Sequence, residues 1–431
     1  MKLPWDTFSD QPYVIRDKIL KKELYKKGRW DLVKLVLTNI IILPATLLIY
    51  KLVPINERRF DTLNFFGIGI NLDKNPKETQ AIIDDIGVNN LLIRMPLHDI
   101  ENLSEYVAFA EQFKNKNILI NILQDRRHIE DLELAKQSIT SIFKQFGHLT
   151  KRFQIGNAVN RKKWAIFSMD EYMHFYKVAY DLKKKDYPNF VLLGASIIDF
   201  EYYFTARTLF NLGRLKYDQC SSLLYVDRRG APENTQMGLD LSNKLKLLHA
   251  MLRLSPKTGN DIVITETNWP ITQTAPYAPT SENDCVSLDD HANFLVRYYL
   301  LAISSGVVKQ VYWHQLIAPG YGLMDNRGDK LVKYPAYYAF RFMMSMLQSA
   351  DYKAISKDGD IYQVSFFKDK QSIDVFWSLS AASLEQVINT YCKTNYSNKK
   401  VFSKEGNKLE LAADDDIILK GSPIYVVGES L

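Results

Sequence analysis

Short apolar runs alternate with longer amphipathic stretches from Phe60 to Gln348. The runs Phe65 to Ile70, Asn90 to Leu97, Asn117 to Leu123, Arg152 to Gly156, Phe190 to Ile197, Cys220 to Val226, Asp261 to Thr265 and Val308 to Trp313 are β-branched or leucine-rich and bounded by polar residues. Runs of that length predict buried strands. Between them apolar residues recur at helical spacing. Asn75-Pro76 opens one such helix and Gly87 closes it, while Ser168 and Glu171 form a capping box at the head of another. The further helices are expected over Glu101 to Lys116, Ile129 to Phe146, Ser168 to Lys185, Tyr202 to Leu212, Leu239 to Leu254, Asn293 to Ser304 and Tyr334 to Leu347. Eight strand–helix alternations over about 290 residues predict a (β/α)8 barrel, the TIM barrel of the α/β class. A doubly wound sheet would need a glycine-rich phosphate turn after its first strand, and FGIGINLD is a poor match to one.

The pattern changes on both sides of this region. After Gln348 it turns to short alternating runs, Ile361 to Phe367, Ser372 to Trp377, Gln386 to Thr390, Lys408 to Leu411 and Ile424 to Val427, separated by turn residues. These predict a small β-sandwich module over 349–431. Ahead of the barrel, Leu35 to Tyr50 runs sixteen residues without a charge. That is short of the roughly 20 needed to span a bilayer. Lys34 and Lys51 can snorkel, however, and Leu52 and Val53 extend the run, so residues 35–53 are expected to form a transmembrane anchor. Asn39 and Pro44 weaken that expectation, and the alternative is a hydrophobic helix docked on the protein. The basic region before the run is too long for a cleaved signal peptide.

Charge sharpens this picture. The chain carries a net charge of +6, and residues 1–34 hold nine Lys or Arg against five Asp or Glu. That stretch reads as a basic arm, and the nearly neutral remainder argues against a nucleic-acid surface. The positive-inside bias then places the amino terminus in the cytoplasm and the barrel on the outer, periplasmic or extracellular side. The 46% hydrophobic content is that of an ordinary globular core, and 25 Tyr with 6 Trp supply flat faces suited to sugars. Cys220, Cys285 and Cys392 lie far apart, with neither disulfide nor metal spacing. No cofactor or metal is expected.

Barrel enzymes keep their chemistry where strands end. Glu266 ends strand seven, and a carboxylate at the mouth of a buried strand beside Trp269 is costly unless used or paired. Arg94 and His98 lie at the end of strand two. Asn157, Ala158, Asn160 and Arg161 follow strand four, Tyr225 and Asp227 end strand six, and Trp313 and His314 end strand eight. Each alone reads more simply as a packing or ion-pair residue. Their convergence on one barrel face points to a site.

This set resembles the clan A glycoside hydrolases, and with its appended β module is most similar to the β-xylosidase and iduronidase type, family thirty-nine. The resemblance covers residues 60–431. It implies Glu266 as nucleophile, Tyr225 as its hydrogen-bond partner, Arg94 as the cation that keeps it ionised, Asn157 at the sugar 2-hydroxyl and Trp313 as a sugar platform. His98, Asn160, Asp227, Trp269 and His314 would line the substrate site. It also implies a Glu after the strand-four Asn, where this chain has Ala158. Retaining hydrolysis needs two carboxyls about 5 Å apart, and Ala158 cannot serve as the acid/base. Three readings remain: an acid from Asp227, Asp199 or Glu201, a substrate whose leaving group needs no proton, or a barrel that binds glycans without cleaving them. The expected protein is thus a membrane-anchored glycoside hydrolase-like barrel acting on a cell-envelope or secreted polysaccharide. The alternative is an inactive glycan-binding or scaffolding subunit of a polysaccharide assembly system. What fills the space at Ala158 separates them: a carboxyl there favours the enzyme, apolar side chains the binding protein.

Overall fold

The computed structural model describes residues 4–52, 61–226, 230–391, 399–410 and 417–429. Asp227 and Cys392 lie outside the described residues. Eight parallel strands close into a barrel: β1 (Phe66–Ile70), β2 (Asn90–Pro96), β3 (Asn117–Leu123), β4 (Arg152–Ile155), β5 (Val191–Ile198), β6 (Gln219–Leu223), β7 (Ile262–Ile264) and β8 (Val308–Trp313). Closure comes where β8 pairs with β1, Trp313 opposite Ile68. Leu92, Leu119, Leu193, Val263 and Tyr312 pack together as one of the buried apolar clusters. A Cβ on Gly67 would sit 2.6 Å from the Tyr312 ring, so glycine is what lets that ring pack.

The strand register is what positions the site. β6 stops at Leu223, three residues before the sequence pattern suggests, and frees Leu224 to Val226 to leave the sheet and present Tyr225. The helix after β7 starts at Leu288, five residues earlier than Asn293, because Ser287 caps it by accepting from Asp290 N–H. The capping box at Ser168 forms only in half. Ser168 accepts from Glu171 N–H, but the Glu171 carboxylate takes Phe167 N–H and Arg126 instead of the cap residue.

The carboxy-terminal module is a six-stranded sheet formed by Asp351–Asp358, Ile361–Lys368, Gln371–Ser378, Ile424–Glu429, Lys400–Ser403 and Lys408–Leu409 in that spatial order. Gln386 to Thr390 is not a strand but part of the helix Leu384–Tyr391. Leu384, Val387 and Ile388 sit at i, i+3 and i+4, a helical period that the β-branched residues obscure. These three pack on Phe376, Val401 and Val426 and give the sheet its second layer. On the barrel side, Tyr425 meets Phe342 at 5.0 Å. The junction also holds a buried ion pair. Glu233 accepts from Arg297 Nε and from Trp377 Nε1, both at 2.8 Å, while Arg297 Nη1 donates to Gly421 O at 3.0 Å.

At the other end of the chain, helix Lys18–Lys27 leads into a second helix, Arg29–Leu52, that contains the apolar run. It lies against the outer layer of the barrel. Asp31 accepts from Met169 N–H at 2.6 Å, Asn39 donates to Tyr203 O at 2.9 Å and the Tyr50 hydroxyl donates to Asn243 at 2.9 Å. The segment before these helices, with a two-residue ladder pairing Trp5–Asp6 and Gln11–Pro12, is seated in the barrel mouth. The arm thus packs on the barrel, with Asp10 and Arg94 bonded to each other.

Candidate functional site

Glu266 follows β7 and is buried at the bottom of a cavity of about 150 Å³ on the carboxyl face. Three donors hold its carboxylate. Tyr225 O–H donates to Oε1 at 2.8 Å, and Arg94 Nη2 and Asn157 Nδ2 donate to Oε2 at 3.1 and 3.2 Å. Asn157 is aimed by its own partners, since its Oδ1 accepts from Asn121 and Gln154. Burial, and then the Glu266 charge, push the Tyr225 phenol well above its usual range, so it stays a donor. Burial and the nearby Arg94 press His314 well below its usual range, so the imidazole is neutral where it lines the cavity.

The other half of this site comes from the amino-terminal arm. Asp10, with a left-handed φ of 52°, places its Oδ2 to accept from Arg94 Nη1 at 3.0 Å and Asn71 Nδ2 at 2.9 Å. One guanidinium thus bridges two carboxylates. Gln11 reaches Lys163 and Pro279 O, and Trp5 packs on His98 at 5.3 Å and Trp164 at 5.7 Å. Nothing in the residues near Asp10 marks it as a site carboxylate. Burial alone would push the Asp10 carboxyl up, but Arg94 and Lys74 outweigh it and hold it below the ordinary range. The contribution of this carboxylate to seating the arm is therefore full above about pH 3.9, the free aspartate value, and lost as pH falls through the lower folded value. Asp10→Asn should loosen the seat by about 1.5–3 kcal/mol, the range for hydrogen bonds to charged groups. Hydrogen exchange at residues 5–12 reads this directly, and unchanged protection in Asp10→Asn would show the seat does not depend on the charge.

The remaining expected residues divide. Trp269 and His314 line the cavity with Tyr225 and Arg94. Trp313 does not: it is wholly buried, stacked behind Trp269 at 6.0 Å. His98 lines a neighbouring cavity with Trp5 and Trp164. Asn160 is spent on Ile198 and Glu201, fixing the loop after β5. The alternative acids Asp199 and Glu201 are both gripped by Arg161, Glu201 at 2.7 Å, and only Asp199 borders the cavity. Ala158, at a left-handed φ of 46°, is fully buried among Leu123, Trp164 and Leu223, with Trp5, Ile198 and Tyr225 against that cluster. Among the described residues no group of His, Cys, Asp or Glu is arranged to hold a metal ion.

With this geometry, the chain superposes on a family 39 glycoside hydrolase from Bacteroides cellulosilyticus with a TM-score of 0.62 at 14% identity, covering 86% of this chain and 82% of that one. A family 39 β-xylosidase from Caulobacter crescentus gives 0.57 at 12% identity over 87% and 97% of the two chains. A family 30 endoxylanase from Clostridium papyrosolvens gives 0.57 at 10% identity over the same shares, 87% and 97%. The fold is that of the family 39 and family 30 glycoside hydrolases. No protein-family model and no curated protein matches the chain in sequence. On this glycoside hydrolase fold, the residues around Glu266 form a connected polar cluster, while the position after Asn157 is apolar and closed.

Proposed function

We propose that the protein is a carbohydrate-binding barrel of the glycoside hydrolase fold, held at a membrane by the helix Arg29–Leu52 and recognising a cell-envelope or secreted polysaccharide. The observation that carries this reading is the packing of Ala158 among Trp164, Leu223 and Leu123. The cluster around Ala158 holds no carboxyl, and of the two other carboxyls on the cavity wall Asp199 is engaged by Arg161 and Asp10 by Arg94. The Glu266 carboxylate serves as an acceptor for sugar hydroxyls, oriented by Tyr225, Arg94 and Asn157, in a cavity that Trp269 borders. Glycan-array binding by the full chain in detergent tests this. Glu266→Gln should weaken the best ligand roughly ten- to hundredfold, the equivalent of about 1.5–3 kcal/mol for a hydrogen bond to a charge. Binding that is unaffected by Glu266→Gln would move the site elsewhere.

A second reading has its own support. The three donors on Glu266 orient its carboxylate, which suits the first, glycosyl-transferring step on glycosides whose leaving groups need no protonation.

A further inference from the structure

The helix Arg29–Leu52 is turned inside out for a helix in water. Apart from its exposed basic residues Arg29, Lys34 and Lys51, its polar side chains turn toward the protein: Asp31, Asn39 and Tyr50 are all bonded to the barrel, and Thr46 is fully buried. Its outward face is apolar, with Val36, Leu37, Ile40, Ile41, Leu47 and Leu48 exposed, Ile40 and Ile41 by 64% and 69%. A helix placed by the hydrophobic effect in water would show the opposite distribution. An exposed apolar patch of this kind marks an interaction surface.

The anchor points fix the direction of the helix. Met169, Asp170, Tyr203 and Asn243 are first-turn residues of three consecutive outer helices, which begin at the carboxyl face of the barrel. The helix, about 36 Å long by its 24 residues, therefore runs across the rim of that face and not along the barrel axis. It is also tethered along its length, so it cannot cross a bilayer without drawing the barrel rim in with it. Exposed Lys18, Lys22, Lys26 and Arg29 cluster at one end of the apolar stripe and Lys51 at the other. That places cations where anionic headgroups flank an acyl surface.

We infer that the outward face of Arg29–Leu52 beds in the plane of one lipid leaflet, with anionic headgroups at its basic ends, so that the barrel mouth and its Glu266 cavity open at the membrane surface. This rests on the membrane attachment proposed above and departs from the topology expected from the charge bias: arm and barrel share one side. The amphipathic character needed for an in-plane helix is supplied here by the barrel, which covers the polar face.

The test uses the full chain bound to sealed phosphatidylcholine vesicles with and without phosphatidylserine. Flotation is expected with both and is stronger with the anionic lipid, and Ile40→Glu with Ile41→Glu abolishes it while glycan-array binding in detergent is unchanged. In floated protein, cysteines introduced as Thr7→Cys in the arm and Lys136→Cys on the barrel should both react with a membrane-impermeant maleimide from outside. Protection of one of the two would mean the helix spans and overturns the inference. Failure to float, with a dimer by sedimentation, assigns the stripe to a second copy and also overturns it. Failure to float as a monomer removes membrane attachment itself, and the glycan array still decides the carbohydrate reading separately.

Discussion

Glu233→Ala is expected to lower the stability of the protein by about 3–5 kcal/mol, the cost of stranding the buried partner of an ion pair. Arg297 is almost wholly buried, and Glu233 takes its Nε, its Nη2 and the Trp377 indole N–H. With the carboxylate gone, the guanidinium keeps only Gly421 O among the described residues, and Trp377 loses its acceptor. The residues belong to three parts of the chain: the segment after β6, the helix Leu288–Ser304, and the carboxy-terminal sheet. The loss should therefore loosen the β module from the barrel as well as lower the midpoint. Urea unfolding followed by tryptophan fluorescence and by circular dichroism measures both, with coincident transitions in the native chain and separated ones in Glu233→Ala. Replacing both Glu233 and Arg297 by methionine should recover much of the loss, because no charge is left stranded. A loss under about 1 kcal/mol in the single variant would show that the pair is solvated, against its burial.

The strands were the most legible part of this chain. Asn117–Leu123 and Val308–Trp313 have the bounds their sequence runs suggest, although Asn121 interrupts the first and Lys309 and Gln310 the second, because the apolar residues around them are buried in the closed barrel. Arg94, Asn157, Tyr225 and Glu266 came together because strand ends of a closed barrel must converge. What local pattern does not encode is which distant segment covers a surface. Asp10 meets Arg94 across 84 positions, and no periodicity reports that contact. Trp313 reads as a sugar platform by position, yet Trp269 lies between it and the cavity, an outcome set by packing. Helix Arg29–Leu52 shows the same limit. Its composition marks it as apolar, but only the docked structure shows that Asp31, Asn39, Thr46 and Tyr50 share its inner face.

Steady turnover of glycosides by the native chain is expected to be absent, with a single glycosyl equivalent accumulating on Glu266 when the leaving group is an activated aryloxide. On the cleavage reading the Glu266 carboxylate forms the new bond to the anomeric carbon, while the aryloxide departs with the bonding electrons and needs no proton. The second step requires a base to take a proton from water, and the closed, apolar surroundings of Ala158 supply none. General acid/base assistance is worth about 10² to 10⁴ in rate, roughly 3 to 5 kcal/mol of barrier, and both steps on an unactivated glycoside lack it. Ala158→Glu alone should not restore that factor. The side chain would enter a packed cluster at Trp164 and Leu223 from a left-handed backbone position, with overpacking worth about 1–3 kcal/mol and a carboxyl left without a partner. Intact-protein mass spectrometry detects the adduct, and Glu266→Gln should abolish it. Absence of the adduct across a panel of activated sugars would leave binding as the whole function of the cavity. Steady hydrolysis of an unactivated glycoside by the native chain would mean that an acid reaches the leaving oxygen after all, and Asp199, released from Arg161, is the first residue to replace.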